Sequence, residues 1–298
     1  NGLQHLSAML RDEEGGKAVN LTPNPYPQDI YKDVANRTTE LLMEANTELG
    51  NQILLVGVCR KICKRPVMIV PYSGTRHSCR DYILEALAEK CKGSNPWNDD
   101  FFQPANYLAG FVWQAINEVI ISAHTVMDYI KSIAKLYCAV DKPFEWVTPT
   151  GLLVRQAYSN TTKKRIKTHL SGSIVKLNYS QPVDDSIDKR KSVSGSSPNL
   201  THSLDAAALT FTVDKCLKEG VTDFAMVHDS YGTHSPNMPL LNDKLREAFV
   251  EMYEENDVLQ DLYDYAVTSL PVGTEVPPPP LKGTLDIRKV LESDYFFA

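Results

Sequence analysis

No apolar run in this 298-residue chain approaches the ~20 residues that a membrane-spanning helix requires. Positive charge is not in excess either: 31 Lys and Arg stand against 37 Asp and Glu, for a net charge of −6. That balance excludes attachment to nucleic acid through bulk charge, so any such contact must come from local clusters. Cysteine is scarce. The six residues, at 59, 63, 79, 91, 138 and 216, form no C-x-x-C pair, which excludes a zinc ribbon or finger. Cys59 and Cys63 lie one helical turn apart, the ordinary spacing of half-buried packing, and free thiols in a reducing compartment are expected. The opening NGLQHLSAML lacks the basic, apolar and cleavage regions of a signal peptide. It begins on Asn1 rather than Met and reads as the interior of something longer.

What is present is ordinary globular composition, 43% hydrophobic and 23% charged, with apolar residues spread along the whole chain. This excludes disorder and suffices for two domains or one large one. Apolar periodicity predicts helices over 26–49, 60–72, about 105–139 and 238–268. Ser203 is a plausible N-cap for a further helix reaching Glu219. TKKRIKTHL and SIVKLNYS flank Ser171-Gly172 and predict a β-hairpin. DFAMV predicts a short buried strand, 184–199 a mobile polar loop, and PPPP at 277–280 a stiff spacer.

Three constellations carry chemistry. Arg60, Lys64, Met68 and Tyr72 recur every fourth residue, so a helix would gather two cations, a thioether and a phenol into one stripe. Like charges at that spacing repel, and a polyanion such as a triphosphate would relieve the repulsion. A solvated basic helix with Met68 and Tyr72 in the core suits the same spacing. Pro66 and Pro71 should kink or end the helix. Next, MVHDS delivers His228 and Asp229 from a strand into a tight turn. A carboxylate held there suits Mg²⁺, which takes hard oxygen ligands, although a turn Asp bonded to its own backbone is the alternative. Finally, Lys163, Arg165 and Lys167 alternate along a strand and share one face, about 6.6 Å apart. That approximates phosphate spacing along a nucleic acid, and it equally suits an edge strand protected by charge.

These residues sit within GLQHLSAMLRDEEGGKAVNL, RKICKRPVMIVPYSGTR, WVTPTGLLV, SPNLTHSLDAAAL, MVHDSYGTH and LESDYFFA. In order and spacing the six segments resemble the single-subunit DNA-dependent RNA polymerases of phages and mitochondria, from Asn1 to Ala298. The resemblance implies an α+β, mostly helical, right-hand polymerase fold comprising fingers and palm, with thumb and N-terminal domain outside this chain. Residues 1–13 would be palm, 14–202 fingers, and 203–298 the rest of the palm with a C-terminal foot at 284–298. The helix 60–72 would bind the incoming nucleotide through Arg60, Lys64, Met68 and Tyr72. Lys64 would also protonate the leaving pyrophosphate, and Tyr72 would select ribose. His202 would sense the nucleotide. Asp229 would be one of two metal-binding aspartates, with His228 beside it near the primer end. The hairpin at 152–180, with Lys163, Arg165 and Lys167, would read promoter DNA in the major groove.

The implied reaction is in-line attack of an RNA 3′-hydroxyl on the α-phosphate, assisted by two Mg²⁺ ions, with Mn²⁺ as a substitute. DNA template, nascent RNA and ribonucleoside triphosphates are the implied partners, with no membrane. The family's first catalytic aspartate lies a few residues before the stretch matched by Asn1-Gly2. Upstream residues or a second polypeptide are therefore expected to supply it, together with the thumb and N-terminal domain. The family also has Tyr-Gly where this chain has Tyr72-Ser73-Gly74. The wording of KRPVMIVPY and the lack of a transit peptide favour a phage source, hence the cytoplasm of an infected cell, over a mitochondrial one. Two other readings compete. A related DNA polymerase would follow His-Asp with Glu, where this chain has Ser230. A non-catalytic nucleic-acid-binding subunit would not need Lys64, Tyr72 and Asp229 together.

Overall fold

The computed structural model describes residues 1–93 and 95–297. It is α+β and mostly helical, with three small antiparallel ribbons. A short helix α1 (Gly2–Leu10) is buried almost all round and packs on α2 (Glu13–Ala18), α8 (Ile121–Ala139) and α9 (Lys189–Lys218). Helix α9 also packs on α10 (Met238–Glu255), so its middle lies among neighbours on several sides. A second group packs beside this one: α3 (Ile30–Ala45), α5 (Arg60–Met68), α6 (Arg76–Lys90) and α7 (Phe102–Val119). One apolar cluster runs through both groups, from Leu6 and Val34 to Leu108, Ile130 and Phe249. No helix among the described residues is long and apolar enough to cross a membrane.

Several predicted elements are divided. The span 26–49 is α3 followed by α4 (Glu48–Val56), because Asn46 turns left-handed and Thr47 caps the next helix at Gly50 N. The span 105–139 is α7 and α8, broken at Ile120, where three consecutive β-branched residues (Val119, Ile120, Ile121) weaken the helix. The span 238–268 is α10 and α11 (Val258–Ser269), with Asp257 capping the second at Gln260 N.

The predicted loop at 184–199 is the largest correction. The hairpin's second strand continues to Ile187, Asp188 caps a helix at Lys191 N, and α9 then runs unbroken across the expected border at 202/203. Its serines look solvent-facing in sequence, yet Ser192, Ser196 and Ser197 are buried. Ser196 donates to Val193 O at 2.9 Å and Ser197 to Pro71 O at 3.4 Å, and Gln156 donates to the Ser192 carbonyl at 2.7 Å, while the Ser192 hydroxyl has no hydrogen-bond partner among the described residues. Ser203 is mid-helix rather than a cap; its hydroxyl accepts from Trp146 Nε1 at 2.9 Å.

The hairpin is also re-drawn. Residues Leu153–Gln156 form β2 and pair with β1 (Phe144–Val147); the long ribbon is β3 (Ser159–Leu170) with β4 (Ser173–Ile187). Ser171 and Gly172, with φ of 50° and 80°, form the two-residue turn that the strand twist favours. The DFAMV strand, β5 (Phe224–Val227), pairs with β6 (Ser230–Thr233) in a two-stranded ribbon and is half exposed rather than buried.

Candidate active site

Helix α5 ends at Met68, so only Arg60, Lys64 and Met68 share its stripe, and Tyr72 lies in the turn beyond. Pro66 is accommodated inside the helix, and Pro71 falls after its end. The turn nevertheless returns Tyr72 to the same place. Arg60, Met68, Tyr72 and Asp229 all line one cavity of about 660 Å³, with Gly2, Asp29 and Tyr31. A side chain on Gly2 would come within 3.1 Å of the Tyr72 hydroxyl, so the glycine makes room for the phenol. The turn leaves through Ser73, at φ 58°, a left-handed backbone in which a side chain is costly. Glycine is required one residue later instead: a Cβ on Gly74 would meet Ile69 O at 2.8 Å.

The four cations of α5 differ in their partners. Lys61 pairs with Glu89 at 2.7 Å and Arg65 with Glu85 at 2.5 Å, both on α6, while Arg60 pairs with Asp29. Lys64 is exposed and has no carboxylate partner among the described residues. It is therefore the α5 cation left free for an external anion. It does not line the cavity with Arg60.

His202, on α9, stacks on the Tyr72 ring with centroids 4.7 Å apart and planes at 15°. The His228 ring lies 6.5 Å from that of His202. His228 and Asp229 form the two-residue connection between β5 and β6, and His228 takes a left-handed φ of 53°. Strain of that kind at a strand end needs surrounding structure to hold it and is common at functional turns. Asp229 is exposed at the cavity rim and accepts no hydrogen bond or ion pair among the described residues. The turn-Asp alternative is thus not realised.

Three residues at this site had not been singled out from sequence. Asp205 lies one turn after His202 on α9, nearly buried, and accepts a hydrogen bond from the Asn1 amide. Burial and then the Asp229 charge push its carboxyl above the usual carboxylate range. The signal was present, because Asp205 stands three residues after His202 within SPNLTHSLDAAAL. Tyr31 and Asp29 line the cavity from the start of α3. The Tyr31 and Tyr72 phenols are pushed up, in both cases mainly by burial.

The donor set suits a hard divalent cation in part. Asp229 offers unpaired carboxylate oxygens, and the buried Asn1 Oδ1 has no hydrogen-bond partner. No group of three or more His, Cys, Asp or Glu converges on a metal position among the described residues. Away from this site, Lys163, Arg165 and Lys167 face the same side of the exposed ribbon, opposite Ser180, Asn178 and Lys176.

A family model described as DNA-dependent RNA polymerase matches residues 1–271. The chain belongs to that family. It is 35% identical to the DNA-directed RNA polymerase of Enterobacteria phage K11, with all of this chain and 38% of the relative covered. It is also 35% identical to T7 RNA polymerase of Escherichia phage T7, covering all of this chain and 39% of the relative. DNA-directed RNA polymerase 2A of Nicotiana tabacum is 35% identical over all of this chain and 89% of the relative. The chain therefore spans about two fifths of the phage relatives' length. Phage and plant relatives match it at the same identity, so identity alone does not favour a phage source.

Proposed function

We propose that this chain is the catalytic portion of a DNA-directed RNA polymerase, with fingers and palm arranged as in a right-hand polymerase. The observation that carries the reading is the single cavity shared by Arg60, Met68, Tyr72 and Asp229, brought together from α5, the turn beyond it and the β5–β6 connection. Residues 14–202 would act as fingers, with 1–13 and 203–298 as palm and 284–298 as its foot. The working substrates are a DNA template, the growing RNA and ribonucleoside triphosphates. A phage source, with the infected cell's cytoplasm as its setting, remains our reading of the local sequence.

Lys64 and Arg60 would bind the triphosphate, Lys64 as a mobile point charge and Arg60 as a planar fork. Lys64 is also the group able to hand a proton to the departing pyrophosphate oxygen. Tyr72, stiffened by His202 on one face, would close over the sugar and favour a 2′-hydroxyl. His228 would flank the primer end. Asp229 would hold Mg²⁺, or Mn²⁺ in its place; when bound, such ions offset phosphate charge and make the attacking hydroxyl more acidic. Two ions need more carboxylate than Asp229 alone provides, and the remaining ligands would come from phosphates, water and polypeptide beyond this chain. Lys163, Arg165 and Lys167 would hold DNA along the ribbon.

The test is extension of an RNA primer on a DNA template by the intact polymerase carrying Asp229→Asn. Loss of extension with retained template binding supports the reading. Near-normal turnover would remove Asp229 from the reaction, and an unsubstituted polymerase that bound template yet extended no primer would favour a non-catalytic binding subunit.

A further inference from the structure

We propose that Asp29 is a positioning residue for the triphosphate, aiming Arg60 into the substrate cavity; this rests on the reading of Arg60 as a phosphate ligand. Asp29 caps α3. Its Oδ1 accepts from Tyr31 N at 3.1 Å and from Lys32 N at 3.3 Å. Its other oxygen, Oδ2, accepts from Arg60 Nε, at the first residue of α5. The guanidinium carbon lies 5.1 Å from the Tyr31 ring centre, so Arg60 is held by a carboxylate and an aromatic face together.

The contact is made through Nε alone among the described residues. Both terminal nitrogens of Arg60 stay uncommitted, and they are the fork that matches two phosphate oxygens. A free arginine surrenders rotamer entropy on binding. One held in advance surrenders less, so its anion is bound more tightly. The opposing effect is that Asp29 offsets part of the Arg60 charge. The Arg60 side chain is 50% exposed, and at such a site water screens that loss more than it screens the gain in alignment. Asp29, Tyr31, Arg60, Tyr72 and Asp229 line the same cavity, which puts the tether beside the reacting groups.

The two carboxylate oxygens have separate tasks, and this makes the proposal separable from folding. Asn is as good a helix cap as Asp. In Asp29→Asn, Oδ1 still accepts from the α3 amides, while the new amide nitrogen meets the Arg60 Nε donor with no acceptor. The cap survives and the tether is lost. In primer extension by the intact polymerase, Asp29→Asn should raise KM for each nucleoside triphosphate about fivefold, the scale of a partly exposed ion pair. Its kcat should stay within about twofold and its Tm should be unchanged. Arg60→Ala should raise KM at least as much, and the double variant should match Arg60→Ala alone. An unchanged KM in Asp29→Asn beside a raised KM in Arg60→Ala overturns the tether and leaves the Arg60 reading intact. An unchanged KM in Arg60→Ala overturns both. Additive effects of the two substitutions also overturn the tether.

Discussion

The Tyr72 hydroxyl lies against Gly2, so closely that a single added methyl on Gly2 would come within 3.1 Å of it. The phenol is thus clamped between the N-terminal turn of α1 and the His202 ring stacked on its face. Tyr72→Phe should therefore relax the preference for ribonucleotides by about fivefold, the worth of one neutral hydrogen bond. Competition between ribo- and deoxyribonucleoside triphosphates measures it. An unaltered ratio would mean that the hydroxyl does not sense the sugar.

Gly2→Ala tests the clamp from the other side. It should disturb Tyr72 without touching its chemistry, lowering sugar selectivity in the same direction as Tyr72→Phe. Selectivity as in the parent enzyme would show that Tyr72 does not need this contact.

Lys64 is the α5 cation without a carboxylate partner among the described residues. Lys64→Ala should weaken nucleoside triphosphate use far more than Lys61→Ala or Arg65→Ala, whose side chains already face Glu89 and Glu85. About a hundredfold loss in kcat/KM is expected for a charge that meets phosphate and supplies a proton. Equal losses for all three would make the effect one of general surface charge.

The ribbon carries Lys163, Arg165 and Lys167 on one exposed face. Replacing all three with Ala should lower the slope of log affinity for DNA against log salt by about one per residue. A slope that does not move would leave these cations as protection for an exposed ribbon.

His5 gives a prediction about stability. It is fully buried beside the Tyr253 hydroxyl, 2.7 Å from Nδ1, and burial pushes its imidazole down to about 3. The folded chain thus resists a proton that the unfolded chain accepts. Stability from this residue is present above pH 6.5 and falls as the pH drops from there toward 3. His5→Gln, which does not titrate, should flatten that part of the Tm-against-pH curve. An equally steep curve would assign the acid sensitivity to other groups.

Much of this was legible in one dimension. The RKICKRPVM segment declares a helix with a basic stripe, because apolar and cationic residues alternate at its period. Ser171-Gly172 between two strand-like runs declares a hairpin, because only left-handed residues close such a turn without splaying the strands. The breaks inside longer helices were less legible. Asn46 and Asp257 mark theirs only once the backbone is seen to leave the helix there, since both residues are tolerated within one.

The sequence by itself determined the family, the identity of the chemical groups and the short-range geometry in which each is delivered. Those follow from local spacing and from motifs that survive without neighbours. Tertiary structure alone decided how they are used. It buried Ser192, Ser196 and Ser197 and so turned a polar stretch into the start of α9. It tied Arg60 to Asp29, left Lys64 without a carboxylate partner among the described residues, and buried Asp205 where the Asp229 charge reaches it. Each outcome depends on a partner remote in the chain, and a side chain's burial, charge and freedom are set by the partner it meets.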